Sequence, residues 1–315
     1  MAEHTQETPP VGGQAVIEGV MMRSPHAVSV AVRKPDGGIL VRSQPYVSWT
    51  ARSKFWGLPI IRGGVVLIES LYWGIKTLTF SGDVAMAEDD PQKGEKSGKP
   101  KTGISVFRAI LLIAVSLGLG LLVFFYVPLL LTTWLGIRSG VWFNLVDGGF
   151  RLLIFLSYLI GISFLKDIHR IFEYHGAEHK SIFAYENHLP LAPESTRRFT
   201  THHPRCGTSF LLIVMLVSIV VFLFLGRPET VGDRLLRLLF VPVIGGISYE
   251  LIRLSGKGYK KKLGSFLVAP GLWLQRITTK EPDDAQIEVA FAALEAALTE
   301  PQKGVTEFVV KGHNT

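Results

Sequence analysis

A single cysteine, Cys206, stands among the 315 residues, so no internal disulfide can form and the chain suits a reducing compartment. Charge is scarce too: Asp, Glu, Lys and Arg make up 19% of the chain, below the ~25% of ordinary soluble domains. The opening stretch, 1–10, is polar and acidic and lacks an apolar core, so a cleavable signal peptide is not expected. The first apolar span is expected to act as the targeting signal. No internal repeat is visible, which excludes a solenoid.

What the chain has instead is hydrophobic residues, 48% of the total, gathered in four blocks: 104–134, 142–165, 208–225 and 235–254. A bilayer core about 30 Å thick takes ~20 helical residues to cross, and each block is that long or nearly so. Four buried helices of a large soluble fold are the alternative. The stretch 210–225, which carries no charge at all, argues against it. The first block exceeds one span and is predicted to tilt or break near Tyr126-Val127-Pro128, where proline removes a backbone donor.

The net charge of +7 is informative through its position. With the N-terminus inside, the inner segments hold Lys93, Lys96, Lys99, Lys101, Lys166, Arg170, Lys180, Arg197, Arg198, Lys257 and Lys260, among others. The outer ones hold only Arg138, Arg227, Arg234 and Arg237. The positive-inside rule then predicts a multi-pass protein of the inner (plasma) membrane with both termini cytoplasmic. The expected partner is the lipid bilayer, with a homo-oligomer as a further expectation, and no nucleic acid.

The expected fold class is mainly α: a transmembrane bundle of about four spans, a small N-terminal β-hairpin or three-stranded sheet, and a C-terminal soluble helix. Residues 1–11 read as a disordered leader. Residues 12–57 read as β-rich, with Pro35-Asp36-Gly37-Gly38 as a turn. In 58–80, Arg62, Glu69 and Lys76 share one face of an amphipathic helix lying on the membrane; a fifth span is the alternative. Residues 81–103 read as a flexible linker. Residues 104–255 form the bundle, with a cytoplasmic segment at 166–207. Residues 256–300 comprise a basic surface stretch, a surface-lying segment at 265–277, and a helix with Ile287, Phe291, Leu294 and Leu298 on one side. A tail follows at 301–315.

The chemistry is concentrated in His175-Gly176-Ala177-Glu178-His179 and, further on, His202-His203-Pro204-Arg205-Cys206-Gly207. On a helix His175 and His179 lie one turn apart on the same face, where two imidazoles can grip one divalent ion of the zinc type. His-x-x-Glu-His is the inverted form of a zinc metallopeptidase motif, with Glu178 placed to take a proton from water at the ion. His203 and Cys206, separated by two residues, supply two further candidate ligands. Four ligands would make a structural site, and three plus water a catalytic one; the sequence leaves both open. The bland reading is a set of hydrogen-bonding side chains at headgroup level, and it is preferred for His202. Glu250, near the inner end of the fourth block, is either a ligand or its partner, or simply pairs with Arg253. Glu173 and Glu186 are further candidates, or solvated helix charges. Arg205 is a candidate for contacting an anionic substrate or lipid phosphate.

Three separated motifs resemble the YqhQ family, bacterial membrane proteins that contain a domain of unknown function and are labelled metal-dependent enzymes. The first runs from Gly12-Gly13-Gln14-Ala15-Val16-Ile17-Glu18-Gly19 to Arg23; the others are Tyr174-His175-Gly176-Ala177-Glu178-His179-Lys180 and His203-Pro204-Arg205-Cys206-Gly207-Thr208-Ser209-Phe210. The resemblance implies that the 14–23 segment belongs to the same functional unit, and it alone adds Glu18 and Arg23 to the candidates. The expected function is metal-dependent hydrolysis of a membrane-associated substrate. A metal-stapled scaffold or transport-associated protein is the rival.

Overall fold

The computed structural model describes residues 9–86, 106–258, 262–299 and 304–310. The predicted linker, from 87 onward, and the start of the leader lie outside these residues. A five-stranded antiparallel meander opens the chain: β1 (Gly12–Val16), β2 (Gly19–Arg23), β3 (Ala27–Arg33), β4 (Ile39–Pro45) and, from the far end of the sequence, β5 (Thr306–Val310). Alternation in Ala27–Arg33 and the turn with Gly37 at φ +85° specify the β3–β4 hairpin. The sheet is larger than the two or three strands expected. The last strand, five residues read as tail, has no periodic signal of its own and exists only by pairing with β4, where Val41 faces Phe308.

Both faces of the sheet are covered. One carries Met22, Ala31 and Val41 against Phe291 and Leu294 of α12 (Asp284–Leu298), and the Ser29 hydroxyl donates to the Ala293 carbonyl at 2.5 Å. A capping box between Asp283 and Gln286 starts α12, so the acidic pair there is structural. The other face carries Val16, Val30 and Tyr46 against α2 (Ile61–Ala85), which follows the one-turn α1 (Trp49–Arg52).

The three charges that share one face of α2 find partners. Arg62 forms a two-pronged pair with Glu250, its Nε donating at 2.6 Å. Buried Glu69 accepts from the Tyr46 hydroxyl, the Ser48 hydroxyl and the Trp49 N–H. Lys76 donates to Gln44 at 3.0 Å. The opposite face, with Ile68, Leu71, Tyr72 and Ile75, is exposed. Glu250 pairs across helices with Arg62, where the sequence had suggested Arg253.

Among the described residues four helices are long and apolar enough to cross a membrane: Ala114–Trp134, Gly140–Ser163, Gly207–Leu225 and Val231–Leu254. The first is built from α3 (Val106–Leu121), a π turn at Leu122–Tyr126, and α4 (Val127–Trp134). Pro128 cannot donate to the carbonyl four residues back, and the widened turn sits just ahead of it. Next come α5 (Gly140–Ser163), α6 (Lys166–Glu186), the one-turn α7 (Pro193–Thr196), α8 (Gly207–Leu225), α9 (Val231–Leu239), α10 (Val241–Gly258) and α11 (Lys262–Thr278). The segment 265–277, expected on the surface, instead packs between α8 and α10, with Leu274 and Gln275 fully buried.

Inside the bundle lies a polar cluster. Asp147 and Arg151 pair one turn apart on α5 at 2.8 Å. Arg237 of α9, read from the sequence as an outer-face charge, is 1% exposed; it donates to the Asn144 side chain at 2.6 Å and comes within 3.9 Å of Asp147. The contacts of Arg237 tie α9 to α5 among buried side chains.

Candidate metal centre

Helix α6 follows α5 after a break at Phe164-Leu165 and presents His175, Glu178 and His179 on its buried side. It can come this close to the 278–280 segment because position 176 is glycine: a Cβ there would overlap the Lys280 carbonyl oxygen and press Thr201 Cγ2 at 3.1 Å. Gly13 of β1 has the same role towards Glu178, since a Cβ would lie 2.9 Å from the Glu178 carboxyl carbon.

The two imidazoles are held in the same way. His175 Nδ1 donates to the Thr278 carbonyl at 2.8 Å, and His179 Nδ1 to the Thr201 carbonyl at 2.5 Å. With a proton on Nδ1, each ring turns an Nε2 lone pair inward. His175 Nε2 stands 3.2 Å from Cys206 Sγ, and buried His179 Nε2 has no hydrogen-bond partner. Ligand atoms of His175, His179 and Cys206 lie within 4.8 Å of one another. Tetrahedral zinc bonds of ~2.0–2.3 Å require ligand atoms about 3.3–3.6 Å apart, so a small contraction seats an ion. Orphaned Nε2 and converging sulfur fit a divalent metal.

Cys206 is the N-cap of α8, its sulfur accepting from the Thr208 N–H at 3.3 Å. Burial opposes ionisation, but neighbouring His179 and the Thr208 hydrogen bonds outweigh it, and the thiol is held below its ordinary value. Burial holds His179 below its ordinary value, as a neutral ligand requires. Burial pushes Glu178 up to about 8, against the counter-pull of His175 and the Gly13 backbone. One of its oxygens, Oε2, is buried without a hydrogen-bond partner.

His203 is buried nearby but is not one of the three that converge. Its Nδ1 accepts from the Arg205 N–H at 3.2 Å, its Nε2 is 3.5 Å from Glu186, and its ring is 5.7 Å from that of His179. Glu186 bonds Arg205. Glu173 accepts from Gln286 at 2.8 Å, Glu18 pairs with Arg170 and Tyr174, and Glu250 with Arg62; none of these three reaches the cluster. Sequence reasoning missed Gln275, whose side chain bonds both the N–H and the carbonyl of His203 and so fixes the 203–206 loop. It also missed the Thr201 and Thr278 carbonyls, because backbone acceptors leave no mark in side-chain patterns.

A cavity of about 590 Å³ adjoins the cluster, lined by β1 (12–15), Arg23, α2 (Val66, Leu67, Ser70), α6, the 205–211 segment and Tyr249 with Ile252 of α10. His175, Glu178, His179 and Cys206 all face it.

Together these features define a helical protein with four membrane-length apolar helices and a buried His-His-Cys cluster beside a cavity. The chain belongs to the family described as Protein of unknown function (DUF1385), whose model matches residues 58–300. It is 33% identical over 305 residues, 95% of either chain, to Uncharacterized protein YqhQ of Bacillus subtilis (strain 168). The resemblance drawn from the separated motifs thus holds. No solved structure matches.

Proposed function

We propose that this is an integral membrane protein with a zinc-type metal centre on its cytoplasmic side, acting as a hydrolase on a membrane-associated substrate. The observation that carries the reading is the convergence of His175 Nε2, His179 Nε2 and Cys206 Sγ, with both imidazoles tethered through Nδ1 to carbonyls. Three protein ligands beside a cavity leave room for water, as a catalytic site needs. The ion, when bound, would polarise water and a substrate carbonyl. Glu178, buried one helical turn from His175, would be held as the carboxylate by a bound cation's charge, placed to take the proton from water and hand it to the leaving atom. Orientation follows from the Lys and Arg distribution, which supports both termini inside. Metal analysis of the purified protein tests this: about one ion per chain is expected, and its absence, or its persistence in the His175→Ala, His179→Ala double variant, refutes it.

A scaffold stapled by the metal is the second reading, favoured by His203, whose Nε2 is buried and lacks a hydrogen bond. Glu178→Gln separates the two. Full metal content with loss of cellular activity supports hydrolysis; unchanged activity supports the staple.

A further inference from the structure

The walls of the cavity indicate what enters it. Leu67 of α2 and Leu211, in the first turns of α8, line it and are also exposed, 39% and 48%. Tyr249 and Ile252 belong to the last turns of the helix Val231–Leu254. The cavity therefore lies level with the ends of two membrane-length helices and has an aliphatic flank turned towards the bilayer. Its size falls within the roughly 300–1,000 Å³ of small-molecule sites.

One cation in it is uncompensated. Among the described residues the Arg23 guanidinium forms no ion pair or side-chain hydrogen bond; it lies over the Tyr46 ring, 5.5 Å from the centroid. Arg205, also in the wall, is already paired with Glu186. Arg23 ends β2 directly opposite Gly12, one residue from the Gly13 that abuts Glu178. An unpaired guanidinium near an apolar channel suits an anionic head on a greasy chain.

We propose that the cavity takes one acyl chain of an anionic glycerophospholipid, entering past Leu67 and Leu211, with Arg23 holding the phosphate and the ester carbonyl brought to the His175–His179–Cys206 cluster. This rests on the hydrolase reading for its chemistry. Water adds to the ester carbon, the carbon–oxygen bond to glycerol breaks, and the proton passes through Glu178 to the leaving oxygen, giving a fatty acid and a lysolipid. An extended peptide is less suited. It would need a partner for each backbone group, and β1 is obstructed at Gly13, against which the Glu178 carboxyl packs.

The test uses full-length protein in detergent and native mass spectrometry, with dioleoyl phosphatidylglycerol as probe, against dioleoyl phosphatidylcholine, free glycerol 3-phosphate and an apolar peptide. One phosphatidylglycerol per chain should be retained, about fivefold over phosphatidylcholine, with neither glycerol phosphate nor peptide competing. Arg23→Gln should erase the preference and Arg23→Lys keep much of it; Val66→Trp, filling the cavity, should abolish retention. Equal retention of the two lipids, or Arg23→Gln without effect, overturns the proposal, as does competition by glycerol phosphate or peptide. Should Val66→Trp not fold, the Arg23 pair still decides. Metal content on the same samples separates the claims: lipid selectivity without metal sinks the hydrolase reading alone, and metal without selectivity sinks this one alone.

Discussion

His175 Nε2 and Cys206 Sγ meet at 3.2 Å although they belong to different elements, one in the middle of α6 and the other capping α8. Neither element positions the pair alone. The 201–206 loop between them is pinned by the Gln275 side chain, and His175 is pinned by the Thr278 carbonyl; both come from α11. The candidate centre is therefore assembled by α11, a helix that contributes no ligand.

Cys206→Ser should lower metal affinity by about 10–100-fold, because an alcohol is a poor donor where a thiolate bound. His203→Ala should leave the ion in place, since His203 stands apart from the three converging ligand atoms. Competition with a calibrated chelator measures both. Equal losses in the two variants would mean four ligands and a structural site.

Gly176→Ala should destabilise the protein by about 1–3 kcal/mol, because its methyl meets the Lys280 carbonyl. It should also lower metal occupancy, since pushing α6 from the 278–280 segment breaks the His175 tether. Gly149→Ala on α5 is the comparison, with nothing within 4 Å of the added carbon. Thermal unfolding and metal content read both effects.

Acid should weaken the metal-free protein. Burial lowers His203 to about 4 from its usual 6.5, with Glu186, Arg205, Phe183 and His179 facing the ring. Between those values the unfolded chain holds the extra proton, so stability is lost as pH falls from 6.5 towards 4, by at most about 3 kcal/mol. Above 6.5 this group contributes no slope. Melting temperatures across that range should show the loss in the wild type and a shallower slope in His203→Gln.

Asp147→Leu should destabilise the bundle by about 3–5 kcal/mol, since Arg151 and Arg237 would then face each other in an apolar interior without a carboxylate. Replacing all three with leucine should recover much of the loss. Unfolding in nanodiscs checks the ordering of the variants.

The local periodicities were legible in the sequence. Runs of apolar residues marked the four membrane-length helices, three of them to within a few positions and the first with a start ten residues early, and the irregular turn ahead of Pro128 followed from its missing donor. The β3–β4 hairpin and the existence of α12 could also be read, but α12 is buried on more than one side, against both the sheet and α6. β5 was not, because five residues with no alternating pattern become a strand only when β4 offers its edge. Nor was the path of α11, since a short amphipathic segment looks alike on a membrane surface and between helices. The burial of Arg237 was not legible either, as its partners Asn144 and Asp147 lie on another helix.

By itself the sequence determined which segments are greasy enough to leave water, which residues own metal-binding atoms, and that His175 and His179 share a helix face. Those properties belong to single residues or to neighbours within one turn. Only the tertiary structure decided that Cys206 joins them while His203 turns to Glu186, and that Arg23 faces the same cavity without an ion pair among the described residues. Such choices depend on crossings between segments far apart in the chain, where one glycine at 176 or one glutamine at 275 sets distances that no local pattern encodes.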